Sequence, residues 1–243
     1  MRQVESLTGV SDGFRRSDIL YQSVTIYEIY LLIKLVADIN IQHENILGKT
    51  HCLYQSGPIN KAMVMRANIY SIGSLGPERE TAVKSGLDKL SQHMGEKVAF
   101  QTLNVRLPVT NAGLVVPKRV GVGKLNTAVD LHVFAVPLDR GELGGKQLGG
   151  SLPLFGVSFI DIHRSPKIIN STAAHEGAHS IGFVLPFSPQ YSQNNGAHCI
   201  DSDCIMYPEI NIDAPQQDDF CSPCQQDLAN HGTGMLQLIR QTR

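Results

Sequence analysis

Residues 175 to 182 read His-Glu-Gly-Ala-His-Ser-Ile-Gly, and this string constrains the chain more than any other. Side chains four apart lie on one face of a helix. His175 and His179 can therefore present two imidazoles to one metal ion, with Glu176 beside them as a candidate base. Gly182, three residues after His179, lets the chain turn sharply and bring a third ligand from beyond the helix.

Downstream stand His198, Cys199, Cys204, Met206, Cys221 and Cys224. Four of the five cysteines crowd into residues 199 to 224, while Cys52 stands apart. Residues 1 to 18 are mixed and polar, which does not read as a secretory signal. The expected location is therefore cytoplasmic. In such a chain a tight cysteine cluster is more often a metal site than a disulfide framework. Two disulfides remain the alternative, in an oxidising compartment.

Charge and hydropathy exclude other classes. Twenty-one Lys and Arg balance twenty-two Asp and Glu, a formal net charge of -1, so nothing global favours nucleic acid or an anionic membrane. The most apolar stretch, residues 24 to 41, carries Glu28, Lys34 and Asp38, which argues against a membrane span. Its helical spacing predicts an amphipathic helix instead.

The pattern along the chain predicts an α/β layer. A strand over 62–73 precedes a helix opening at Pro77, with Val83, Leu87, Leu90 and Met94 on one face. A second strand over 98–107 changes phase between Phe100 and Leu103, which predicts a bulge. Residues 129–136 are apolar on both faces, as in a central strand. Residues 137–153 are glycine-rich and expected to be flexible, and 154–162 form another strand. The zinc-motif helix is expected to be capped by Asn170, Ser171 or Thr172. A last helix over about 225–240 closes the domain. The expected organisation is an extension, 1–55, and a catalytic domain, 56–243, whose upper part runs to about 182 and whose zinc-bound C-terminal part spans 183–243.

The order His175, Glu176, His179, Gly182, His198, Cys199, Cys204, Met206, Cys221, Cys224 resembles the archaemetzincin family of metzincin zinc peptidases. That family's motif runs H-E-x-x-H-x-x-G-x-x-H-C, then four residues, then C-x-M, then a later C-x-x-C. The likeness is specific over residues 175 to 224. Upstream, only the order of strands and helix is shared. One departure stands out: the family's third histidine falls at Leu185 here, and His198 comes thirteen residues later. Either the intervening segment bulges out and returns His198 to the metal, or Asp201 or Asp203 takes its place. Loop extension costs little, because closure entropy grows only with the logarithm of length.

The resemblance implies a metzincin-like zincin fold with a mixed, mostly parallel N-terminal sheet, an active-site helix and an irregular C-terminal subdomain. It implies two zinc ions: a catalytic one on His175, His179 and His198, and a structural one on Cys199, Cys204, Cys221 and Cys224. Met206 would provide the Met-turn. An edge strand including Gly156, Val157, Ser158 and Phe159 would pair with extended substrate. The expected activity is peptide-bond hydrolysis with Glu176 as general base and acid, on a peptide or protein substrate, by a monomer. Two alternatives are a non-catalytic zinc-stabilised binding module and an amidohydrolase acting on a small molecule.

Overall fold

The structure, a computed structural model, describes residues 64–71, 74–104, 126, 128–137, 148–153, 155–184, 190–192, 196–209 and 217–242. The expected extension over 1–55 with its helix, Cys52, and all but the last residue of a Pro-, Gly- and Asn-containing loop expected over 108–126 lie outside these residues.

Five strands form one sheet: β1 (Val64–Ser71), β2 (Lys97–Asn104), β3 (Leu131–Val136), β4 (Gly149–Leu152) and β5 (Val157–Asp161). Their order is β2-β1-β3-β5-β4, parallel except for β4, which runs antiparallel to β5. This is the expected mixed, mostly parallel sheet. Helix α1 (Pro77–His93) crosses from β1 to β2, and α2 (Pro166–Ser180) follows β5. A short hairpin, β6 (Tyr191–Ser192) and β7 (Gly196–Cys199), precedes the closing helix α3 (Ser222–Thr242). Among the described residues, no helix is long and apolar enough to cross a membrane.

Helix α1 starts where the sequence demands. Pro77 occupies its first turn with Glu78 and Glu80, which suit the positive end of the helix. Val83, Leu87, Leu90 and Met94 enter the main core, with Met65, Ala67 and Ile69 of β1, Leu131, Val133 and Ala135 of β3, and Ile169, Ala173 and Ala174 of α2. The two helices approach closely at Gly86, where a Cβ would collide with the Asn170 carbonyl and the Ala173 methyl. The alternate residues of β3 and β5, Phe134, Val136, Val157 and Phe159, form a second cluster with Tyr70 on the opposite face. That two-faced burial is why β3 reads as a continuous apolar run.

Four expectations need correction. The register of β1 with β2 runs unbroken from Val64–Lys97 to Ser71–Asn104, so there is no bulge. The phase change arises because Leu103 packs with the second cluster while Val98 and Phe100 pack with the first. Helix α2 begins at Pro166 after Ser165, a full turn before the expected caps. Asn170 and Ser171 serve tertiary contacts instead: Lys89 donates to Asn170 Oδ1 (3.3 Å), and Ser171 donates to the Gln217 carbonyl (2.9 Å). The glycine-rich stretch ends in a strand, β4. Finally, β5 is internal. Val157 to Asp161 pairs with β3 on one side, and Val157 to Ile160 pairs with β4 on the other. The backbone of Gly156 is also engaged, with Ser180 and His132. Gly156, Val157, Ser158 and Phe159 therefore offer no open edge. Among the described residues β4 (Gly149–Leu152) is the outermost strand on that side of the sheet.

Candidate metal centre and active site

Helix α2 ends on a Schellman turn built around Gly182, whose φ of 93° suits glycine. The Phe183 amide donates to the Ala178 carbonyl (3.0 Å), and the Gly182 amide donates to the His179 carbonyl (2.8 Å). The turn leaves the Phe183 carbonyl 2.7 Å from His179 Nδ1. The Ile205 carbonyl sits likewise 2.7 Å from His175 Nδ1. A carbonyl can only accept, so each Nδ1 carries the proton and each Nε2 a lone pair. Those two Nε2 atoms lie 3.0 Å apart. Two lone pairs at that distance repel unless a cation lies between them.

His198 joins them from β7. The segment after Gly182 runs through the β6–β7 hairpin and returns the His198 ring to within 5.3 Å of His175 and 4.7 Å of His179, centroid to centroid. The candidate ligand atoms of all three rings lie within 4.8 Å of one another. Asp201 and Asp203 are exposed and outside this group, and the Asp201 carboxylate accepts from the Asp203 amide (3.0 Å). Zinc–nitrogen bonds of about 2.0–2.1 Å in a tetrahedron imply ligand separations of about 3.3 Å, so the helix-borne pair has close to the required spacing. Burial depresses the basicity of both helix histidines: His175 is lowered to about 4, with the His198 charge adding to the effect, and His179 lies well below the ordinary value. Neutral imidazoles are the form that binds a metal.

Glu176 is buried within the same helix. Burial pushes its carboxyl up to about 8, against a hydrogen bond from Ser151 on β4 that favours the anion. A group poised near neutrality can both accept and return a proton.

The second cluster holds Cys199, Cys204, Cys221 and Cys224, whose sulfurs also lie within 4.8 Å of one another. Cys199 Sγ and Cys221 Sγ are 3.8 Å apart. That separation is the edge of a tetrahedron with zinc–sulfur bonds of about 2.3 Å. A disulfide needs about 2.05 Å, and all four are free thiols. Backbone amides point at the sulfurs: Asp201 at Cys199 (3.4 Å), and Met206 and Cys221 at Cys204 (3.4 and 3.3 Å). Such donors favour a thiolate, and without a metal the cluster concentrates it on one sulfur: Cys199 is held far below the usual thiol range by hydrogen bonds from Cys204 and Cys224, whose own thiols are pushed up in return.

Met206 is fully buried in the main core, and its carbonyl accepts from the Cys199 amide (2.8 Å). Neither His93, which pairs with Asp219 (2.8 Å), nor His132, which meets the Tyr70 hydroxyl (2.9 Å), joins a metal-ligating group. Three participants escape the sequence reading. The carbonyls of Phe183 and Ile205 act through backbone, which no residue type announces. Ser151 lies in a strand hidden by glycines.

No family model matches the chain, and no curated protein matches it in sequence. Among solved structures, the fold is similar to archaemetzincin from Methanopyrus kandleri, with a TM-score of 0.51 and 16% identity, over 71% of this chain and 96% of that one. At that identity the likeness speaks for the fold: a mixed, mostly parallel five-stranded sheet with helices, of the archaemetzincin kind.

Proposed function

We propose that this chain is a zinc-dependent peptidase. The observation that carries the reading is the convergence of His198, from a hairpin, on His175 and His179, from a helix whose next side chain is the buried carboxyl of Glu176. The similarity in fold to archaemetzincin supports it.

His175, His179 and His198 would hold the catalytic zinc as three neutral ligands, leaving a fourth position for solvent or substrate. Bound there, zinc would supply Lewis acidity, acidifying water and polarising an amide carbonyl. The chain's own residues would do the rest. Glu176 would take a proton from the attacking water on its carboxylate and pass it to the leaving amine nitrogen. The Phe183 and Ile205 carbonyls would hold the two helix imidazoles in their ligating tautomer. Strand β4, the outermost on its side of the sheet, would align an extended peptide main chain beside Glu176 by strand addition. Met206 would form the buried floor of the turn that orients His175.

Cys199, Cys204, Cys221 and Cys224 would hold a structural zinc tying that turn to the start of α3. A zinc module that only binds a partner gains nothing from a carboxyl buried beside the ligands. Glu176→Ala should cut hydrolysis of a peptide library by at least about 100-fold while two zinc ions per chain remain. Undiminished hydrolysis in that variant would remove the mechanism.

A further inference from the structure

The carboxyl of Glu176 does not rest on its own helix. Strand β4 is wrapped against it. A Cβ on Gly149 would lie 2.8 Å from Glu176 Cγ, 2.9 Å from Thr172 Cγ2 and 2.6 Å from the Phe159 carbonyl. Every one of these is closer than a real Cβ tolerates. Gly149 is therefore glycine because the stem of Glu176 crosses the strand at that point. Two residues on, with the same side of the pleat facing the helix, the Ser151 side chain makes a hydrogen bond to the carboxyl.

Other hydroxyls are available on these elements and are not used. Ser158, directly across from Ser151 on β5, has a buried Oγ with no hydrogen-bond partner among the described residues. So has Thr172, one turn before Glu176 on α2. Ser151 is thus the hydroxyl that meets the candidate base, and it ties the outermost strand to that base.

We propose that Gly149 and Ser151 are positioning residues for Glu176: the glycine admits its stem and the serine hydroxyl sets the direction of its carboxylate. The edge strand then has two roles in one piece of backbone. As the outermost strand of the sheet it would run alongside a bound peptide, and its helix-facing residues would aim the proton acceptor at that same substrate. This rests on the peptidase reading, but the position of Glu176 can be tested without turnover.

The test compares Ser151→Ala, Ser151→Thr, Gly149→Ala and Thr172→Val with the parent protein, by crystallography of the metal-free and zinc-loaded forms and by steady-state hydrolysis of fluorogenic peptides drawn from a library digest. In Ser151→Ala the Glu176 carboxyl should rotate away from β4 in both forms, with zinc content unchanged. Its kcat should fall about tenfold or more, the loss of one hydrogen bond to a charged group, while KM moves less than twofold. Ser151→Thr should restore both, and Thr172→Val should alter neither. Gly149→Ala should displace Glu176 further and lower kcat more. If Ser151→Ala leaves Glu176 in place, or raises KM at unchanged kcat, the proposal is overturned. Should the parent protein hydrolyse no peptide, the peptidase reading falls, and the crystallographic arm still decides whether β4 orients Glu176.

Discussion

The Ile205 carbonyl accepts a hydrogen bond from His175 Nδ1 at 2.7 Å, and Ile205 stands between Cys204, a member of the four-sulfur cluster, and the buried Met206. The Met206 carbonyl in turn accepts from the amide of Cys199, which follows His198 directly. The two candidate metal centres are therefore joined through backbone at both ends. Loss of one should be felt at the other.

Cys204→Ser tests this coupling. The substitution should empty the four-sulfur centre and loosen the Ile205 carbonyl. Zinc affinity at the three histidines should then fall about 10- to 100-fold, as for other losses of an outer partner. Chelator competition on the purified variant checks it. Unchanged affinity at the second site would show the centres to be independent.

His198→Ala separates the two accounts of the third ligand. Zinc should drop from two ions per chain to one, with the four-sulfur centre retained. Asp201→Ala should keep both. Metal analysis of protein purified without chelator gives the answer, and the opposite pattern would make Asp201 the ligand.

Proton linkage at Glu176 gives a pH signature. Burial holds its carboxyl at about 8 without metal, so near pH 7 it is mostly protonated. A cation beside it favours the carboxylate, so zinc binding should release that proton, and affinity should rise with pH up to about 8. His175, lowered to about 4, contributes no such release near neutrality. Titration calorimetry in two buffers of different ionisation enthalpy should show about one proton fewer released by Glu176→Gln than by the parent protein. Equal release from both would place the proton elsewhere.

The contact between α1 and α2 predicts an ordered pair of stability losses. A Cβ at Gly177 meets only the ends of Leu87 and Leu90, at 2.9 and 3.3 Å. A Cβ at Gly86 meets the Asn170 backbone, which cannot swing away. Gly177→Ala should cost about 1 kcal/mol or less after its gain in helix propensity, and Gly86→Ala about 2–3 kcal/mol. Denaturant unfolding of the zinc-loaded proteins checks the order.

What was legible from the chain alone follows from range. The i,i+4 pair His175 and His179, the Gly182 turn and the cysteine spacings are local patterns, and local geometry depends on residues a few positions apart. The apolar run of β3 and the face of α1 were readable for the same reason. Tertiary structure alone decided the rest. It brought His198 to the helix across the seventeen residues, 181 to 197, that follow the end of α2, where spacing gives no rule. It exchanged the expected edge strand, 154–162, for β4, because strand order is set by pairing partners distant in sequence. It also made Gly149 a close-packing position, since only the fold puts the stem of Glu176 against that backbone. Residue types recorded which groups could meet; the closure of long-range contacts determined which of them did.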